Sequence, residues 1–139
     1  MPAAPRPGAA DLPVRPGEEP WTDAELAHVR KELDGEAIGL RADIARAASQ
    51  IAERLTDSVS DAGDDQADAA VNAFEREHEL ALTENARDLL DQTERALGKI
   101  DAGTYGVCES CGKAIGKARL LAFPRATLCV ECKQREERR

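Results

Sequence analysis

Four cysteines stand in two pairs of the same form, Cys108-x2-Cys111 and Cys129-x2-Cys132, with seventeen residues between the pairs. Thiolates are good zinc ligands, and this spacing falls inside the window of four-cysteine zinc sites. Four sulfur donors complete a tetrahedron and leave no position for water, so the ion expected is one structural Zn2+ rather than a catalytic one. The rival use of such pairs is thiol redox chemistry, but no βαβ pattern surrounds them. So short a segment has almost no core of its own. Zinc, worth about 10–16 kcal/mol in finger peptides, can supply the missing stability and couples metal binding to folding. His28 and His78 each stand alone and read as exposed polar residues. No nucleophile–base pair is legible and the metal site is closed, so an enzyme is not expected.

The elements that must position these cysteines are helical. Thr22-Asp23-Ala24-Glu25 has the form of a capping box, in which hydroxyl and carboxylate each satisfy a first-turn amide. Trp21, just before it, is placed to staple the start of the helix. Leu26, Leu33, Leu40 and Ala47 then step by seven, with Ala37, Ile44 and Ile51 between them, as an apolar seam requires, and the seam runs to about Leu55. Gly35 and Gly39 interrupt it at about 1 kcal/mol each relative to Ala. Thr56 to Asp68 is rich in Ser, Asp and Gly and reads as a turn. A second helical pattern spans about Ala69 to Ile100, with Leu82, Leu89 and Ala96 seven apart and Ala86 and Ile100 on the same stripe. Two helices of just over thirty residues, each about 50 Å long, would pair as an antiparallel rod.

The fold class expected is therefore mainly α: a long antiparallel helical hairpin (coiled coil), then a small four-cysteine zinc finger and a short C-terminal helix. The expected division is a disordered Pro-rich tail over 1–20, a coiled-coil hairpin over 21–103 with its tip near 56–68, and the finger with its C-terminal helix over 104–139. The tail assignment rests on six of the seven prolines falling before Trp21.

Composition narrows the function classes. Aromatic residues make up 3% of the 139, while a 42% apolar fraction dominated by Ala and Leu accompanies 33% charged residues, a mixture of exposed helices rather than a large globule. The formal net charge of −8 divides unevenly: the stretch from Lys113 carries +5 and everything before it −13. An acidic body argues against DNA binding as the main activity. Tyr105 and Phe123 are the only aromatics near the basic end, which gives no stacking platform for single strands. No apolar run approaches the roughly 20 residues of a membrane span, and no signal-peptide pattern opens the chain, so a cytoplasmic protein without membrane contact is expected.

The finger carries a family likeness: Gly103-Thr104-Tyr105-Gly106-x-Cys108-Glu109-Ser110-Cys111-Gly112, then Ile115, Arg119-Leu120, Ala122, Pro124 and Cys129-x2-Cys132. It resembles the DksA/TraR C4-type zinc-finger family, densely from Thr104 to Lys133 and by architecture from about Thr22. Members of that family are bacterial transcription factors that bind RNA polymerase directly, inserting the coiled-coil tip through the secondary channel. The resemblance implies the same partner here, with no sequence-specific DNA contact; the chain is expected to be a monomer. The family's tip motif, Asp-x-x-Asp-x-Ala, matches Asp65, Asp68 and Ala70. Composition alone reads these aspartates, with Asp61 and Asp64, as turn and N-cap residues. Leu89, Arg119 and Lys133 match the family's polymerase or effector surface, while two positions basic in the family are Gln92 and Phe123. Fewer cations hold a polyphosphate weakly, so little or no response to guanosine tetraphosphate is expected. The alternative from a different class is a zinc-stabilised structural or protein-interaction adaptor that never enters polymerase.

Overall fold

The computed structural model describes residues 8–60 and 66–138, with side chains described for 8–56 and 70–138. Among the described residues four α-helices follow a 3-10 turn at Ala9–Asp11: α1 (Asp23–Ser60), α2 (Gln66–Ala102), α3 (Lys117–Ala122) and α4 (Val130–Glu137). Among the described residues there is no strand, only one antiparallel bridge between Val107 and Ala114. The fold is mainly α, with two long helices packed together ahead of the four-cysteine segment, as the patterning predicts. No helix among the described residues is long and apolar enough to cross a membrane.

The chain divides into two compact units. A finger unit takes the residues up to Gly35 and from Gln92 onward, and a hairpin unit takes Glu36 to Asp91, so both divisions fall inside the long helices. α1 begins as its capping box dictates. The Thr22 amide donates to Glu25 Oε1 at 3.0 Å and the Glu25 amide to Thr22 Oγ1 at 3.1 Å. Trp21 is buried and packs with Tyr105, ring centroids 6.0 Å apart. Every seam residue expected on α1, from Leu26 to Ile51, is buried or half-buried.

On α2 four of the five expected stripe residues turn inward, Ala96 and Ile100 buried and Ala86 and Leu89 half-buried, and Leu82 is the exception. Leu82 is 56% exposed, whereas Thr83 and Thr93 are buried. Thr83 and Thr93 share a face with Glu79, Ala86, Leu90, Leu97 and Ile100, spaced alternately by four and three, and Leu89 and Ala96 border it on the inward side. Threonine can take such a position because its hydroxyl bonds back along the helix: Thr83 Oγ1 donates to the Glu79 carbonyl at 2.8 Å. Leu82 and Leu89 join Leu40 and Ala47 in lining an open groove of about 420 Å³ in the hairpin unit.

The helices also extend beyond their expected bounds. α1 runs to Ser60 and α2 starts at Gln66, so the irregular stretch is shorter than 56–68. Ser and Asp cost only a few tenths of a kcal/mol each inside a helix that is already propagating. Residues 61–65, which include Asp65, lie outside the described residues.

The expectation of a disordered tail over 1–20 is corrected for residues 8–20, while 1–7 lie outside the described residues. Ala9 and Leu12 are buried in one core with Trp21, Val29, Leu33, Ile100, Tyr105, Ile115, Leu120 and three of the cysteines. Proline removes donors and regular structure but does not prevent burial of the apolar side chains between prolines. A composition rule for disorder misses that.

Candidate metal centre

The first cysteine pair sits on a tight turn. Val107 bridges to Ala114, the Cys108 amide donates to the Lys113 carbonyl at 2.8 Å, and the Gly112 amide donates back to the Cys108 carbonyl at 3.0 Å. Gly112 closes this turn at φ +75°, where side-chain-bearing residues are strained, although nothing stands within 4 Å of where a Cβ would be. Conformation rather than space therefore requires the glycine after Cys111. The second pair straddles the start of α4, with Cys129 as its N-cap and Cys132 in the first turn. Two hydrogen bonds tie the arms together: the Glu109 amide donates to the Thr127 carbonyl at 2.9 Å, and the Cys129 amide to Cys108 Sγ at 3.4 Å.

These turns bring all four Sγ atoms within 4.8 Å of one another. Among the described residues they are the only group of three or more His, Cys, Asp or Glu side chains arranged to hold a metal ion. Cys111 and Cys129 have their sulfurs 3.9 Å apart. Sulfurs at the corners of a tetrahedron around zinc, each about 2.3 Å from the ion, stand about 3.8 Å apart, so the cluster fits the ion. No two of the cysteines are joined as a disulfide, and three of the four are buried.

Electrostatics favour anionic sulfur at Cys108. Burial by itself would raise its thiol, but amides of Cys111, Cys129 and Ser110 aimed at the sulfur bring it down to about 6. Cys132 goes the other way. A hydrogen bond with Ser110 lowers it, yet the neighbouring thiols of Cys129, Cys108 and Cys111, together with burial, push it up to about 12. Crowded sulfurs cannot all ionise without a cation among them, which is the charge a divalent ion brings.

Supporting contacts hold the finger from several sides. Glu109 accepts from Arg95 at 2.8 Å and Lys99 at 2.7 Å, which fixes the first knuckle to the end of α2 and holds the Glu109 carboxyl below its ordinary range. Tyr105 is buried and its hydroxyl donates to the Pro124 carbonyl at 2.9 Å. The sequence marks Glu109 and Tyr105 as parts of the finger motif but gives no sign of their partners.

The finger segment matches the model of the prokaryotic dksA/traR C4-type zinc finger over residues 103–138. Along 126 residues the chain is 34% identical to the RNA polymerase-binding transcription factor DksA of Escherichia coli, covering 91% of this chain and 80% of that protein. The chain belongs to the DksA/TraR family. A second relative, the protein of the same name from Caulobacter vibrioides, is 34% identical over 127 residues, covering 90% of this chain and 86% of its own length. Among solved structures, the transcription factor DksA2 from Pseudomonas aeruginosa superposes with a TM-score of 0.67 at 33% identity, covering 84% of this chain and 85% of that one. As in the C4 fingers of the DksA/TraR family, the four cysteines are positioned to hold one structural zinc.

The remaining family-matched residues are spread across both units. Ala70 is exposed on α2, Asp68 lies in α2 where only the backbone is described, and Leu89 is half-buried in the hairpin groove. In the finger unit, the Arg119 guanidinium lies 5.9 Å from the centroid of the Phe123 ring, and its Nε donates to the Leu128 carbonyl at 3.1 Å. Lys133 is exposed, 3.7 Å from Glu136. His28 pairs with Glu32 and His78 is exposed, and neither belongs to the sulfur cluster.

Proposed function

We propose that this chain is a non-enzymatic regulator of transcription that binds bacterial RNA polymerase. The observation that carries this reading is the likeness to relatives named RNA polymerase-binding transcription factor DksA, which spans 91% of this chain and so takes in the long helices as well as the finger. The zinc held by Cys108, Cys111, Cys129 and Cys132 keeps the finger folded and does no chemistry on a substrate. The hairpin presents its tip, with Asp65, Asp68 and Ala70, through the secondary channel toward the active centre. Between Glu36 and Asp91 stand fourteen acidic and five basic side chains, a net charge of −9 that suits a cationic partner surface and does not suit DNA. Leu89, Arg119 and Lys133 supply further polymerase or effector contacts. The chain acts as a monomer in the cytoplasm, without sequence-specific DNA contact.

The deciding experiment measures binding to purified bacterial RNA polymerase together with promoter transcription, comparing the native chain with an Asp65→Asn, Asp68→Asn double variant. Both should bind, and only the native chain should change transcription. A native chain that does not bind polymerase overturns the reading in favour of an adaptor. With Gln92 and Phe123 at positions basic in the family, guanosine tetraphosphate should add little, and micromolar binding that depends on this chain would refute that expectation.

A further inference from the structure

The segment 8–20 touches each part of the finger. Gly106, which leads into the first cysteine pair, faces Pro13: a Cβ there would lie 3.7 Å from the Pro13 carbonyl oxygen. Gly116, in the link between the pairs, is covered by Arg15, whose Cδ lies 3.0 Å from the corresponding Cβ position. The Glu18 carboxylate accepts from the next two amides, Lys117 at 2.9 Å on Oε1 and Ala118 at 3.0 Å on Oε2. Oε1 also accepts from the Arg15 amide at 2.8 Å, which folds the segment back on itself. The guanidinium of Arg15 reaches Glu131, between Cys129 and Cys132, at 3.0 Å. Lys117 Nζ lies 3.3 Å from the Pro20 carbonyl and 2.7 Å from Glu25 Oε1.

We infer that residues 8–20 form a clasp over the zinc finger, and that the metal leaves only when the clasp opens. Releasing the ion requires the two cysteine arms to part. The clasp is anchored on the approach to the first arm (Gly106), on the link (Gly116 to Ala118) and on the second arm (Glu131), so parting the arms breaks its contacts. These contacts are unequal. Arg15 and Glu131 have side chains 40% and 64% exposed, and a pair so exposed holds little. The carboxylate of Glu18 on two backbone amides makes charge-assisted hydrogen bonds, which are about twice as strong as neutral ones. Glu18 is therefore the catch and Arg15 a minor one.

The test is the rate at which the zinc-loaded full-length chain gives up its metal to a chromogenic chelator at neutral pH, with far-UV circular dichroism and Trp21 emission recorded beside it. Glu18→Ala should release zinc about tenfold faster. Arg15→Gln should be about two- to threefold faster. Glu19→Gln, whose backbone carbonyl rather than side chain meets Lys117, should release at the native rate. If Glu18→Ala loses helical signal, Glu18→Gln replaces it: this variant keeps the shape and one acceptor oxygen and should still release several-fold faster with native dichroism. Native-rate release from a folded Glu18 variant overturns the clasp, as does equal acceleration by Glu19→Gln. The assay contains no polymerase, so its outcome is independent of the proposed transcriptional role.

Discussion

The finger unit and the hairpin unit share the same two long helices, yet they are held in different ways. In the finger unit Trp21, Tyr105, Leu33, Ile115, Leu120, Val29, Thr93 and Cys108 are all essentially inaccessible, and polar contacts lock segments distant in sequence. In the hairpin unit Ala37 and Thr83 are the buried residues among those described, while Ile38, Leu55, Val71, Phe74, Leu80 and Leu82 are exposed. A single helix pair offers each helix one covering face, so most of its seam is only half-buried. A third layer, supplied by the finger and the clasp, completes burial in the finger unit. Dense cores resist local opening, and thinly covered helix pairs open readily.

The largest effect expected is on metal removal. Stripping zinc, or replacing Cys108 with Ser, should remove stabilisation on the order of 10–16 kcal/mol from the finger. The buried signals of Trp21 and Tyr105 in near-ultraviolet dichroism should then be lost, while much of the far-ultraviolet helical signal survives. Simultaneous loss of both would show that the two units do not differ in this way.

Core truncation sharpens the contrast. Leu120→Ala and Leu33→Ala, at fully buried positions, should each cost about 2–5 kcal/mol in denaturant unfolding. Leu82→Ala, at a 56% exposed position, should stay within about 0.5 kcal/mol. A cost at Leu82 equal to that at Leu120 would place Leu82 back on the buried seam.

Acid should also act on the finger unit. The Ala118 amide lowers the Glu18 carboxyl, Lys117 lowers Glu25 and Lys99 lowers Glu109, each from an ordinary value of 4.5. A carboxyl whose folded value is depressed binds its proton more readily when unfolded. Its stabilisation is therefore full above about 4.5 and is lost as pH falls through the lower folded value. Unfolding followed from pH 6 to pH 2 should show this loss, and Glu109→Gln should flatten the slope. An unchanged slope would mean that the Arg95–Glu109–Lys99 cluster contributes nothing to acid sensitivity.

The smallest effect tests the helices themselves. A Cβ at Gly35 or Gly39 would meet nothing within 4 Å. Neither glycine serves a close approach, and Ala at each should raise thermal stability by about 1 kcal/mol or less. Gly35 lies in the finger unit and Gly39 in the hairpin unit, so unequal gains would report how far local helix opening differs between them.

The capping box of Thr22 and Glu25 and the α1 seam were legible because each depends on residues a few positions apart, and the zinc pattern because two identical short cysteine pairs mark one site across the seventeen residues between them. The α2 seam was harder to read. Thr83 and Thr93 count as polar in any hydropathy pattern, and only their surroundings make them interior. The clasp was invisible from the sequence. Glu18 meets Lys117 and Ala118 about a hundred positions away, and a Pro-rich composition says nothing of such partners.

The sequence by itself therefore determined the helical class, the start of α1 and the identity of the metal ligands, since repeat spacing and thiol chemistry act locally. Tertiary structure alone decided that Thr83 and Thr93 turn inward on α2 while Leu82 does not, and that the proline-rich segment packs from residue 8 onward. Both depend on which surfaces meet across long sequence separations, where burial outweighs local preference.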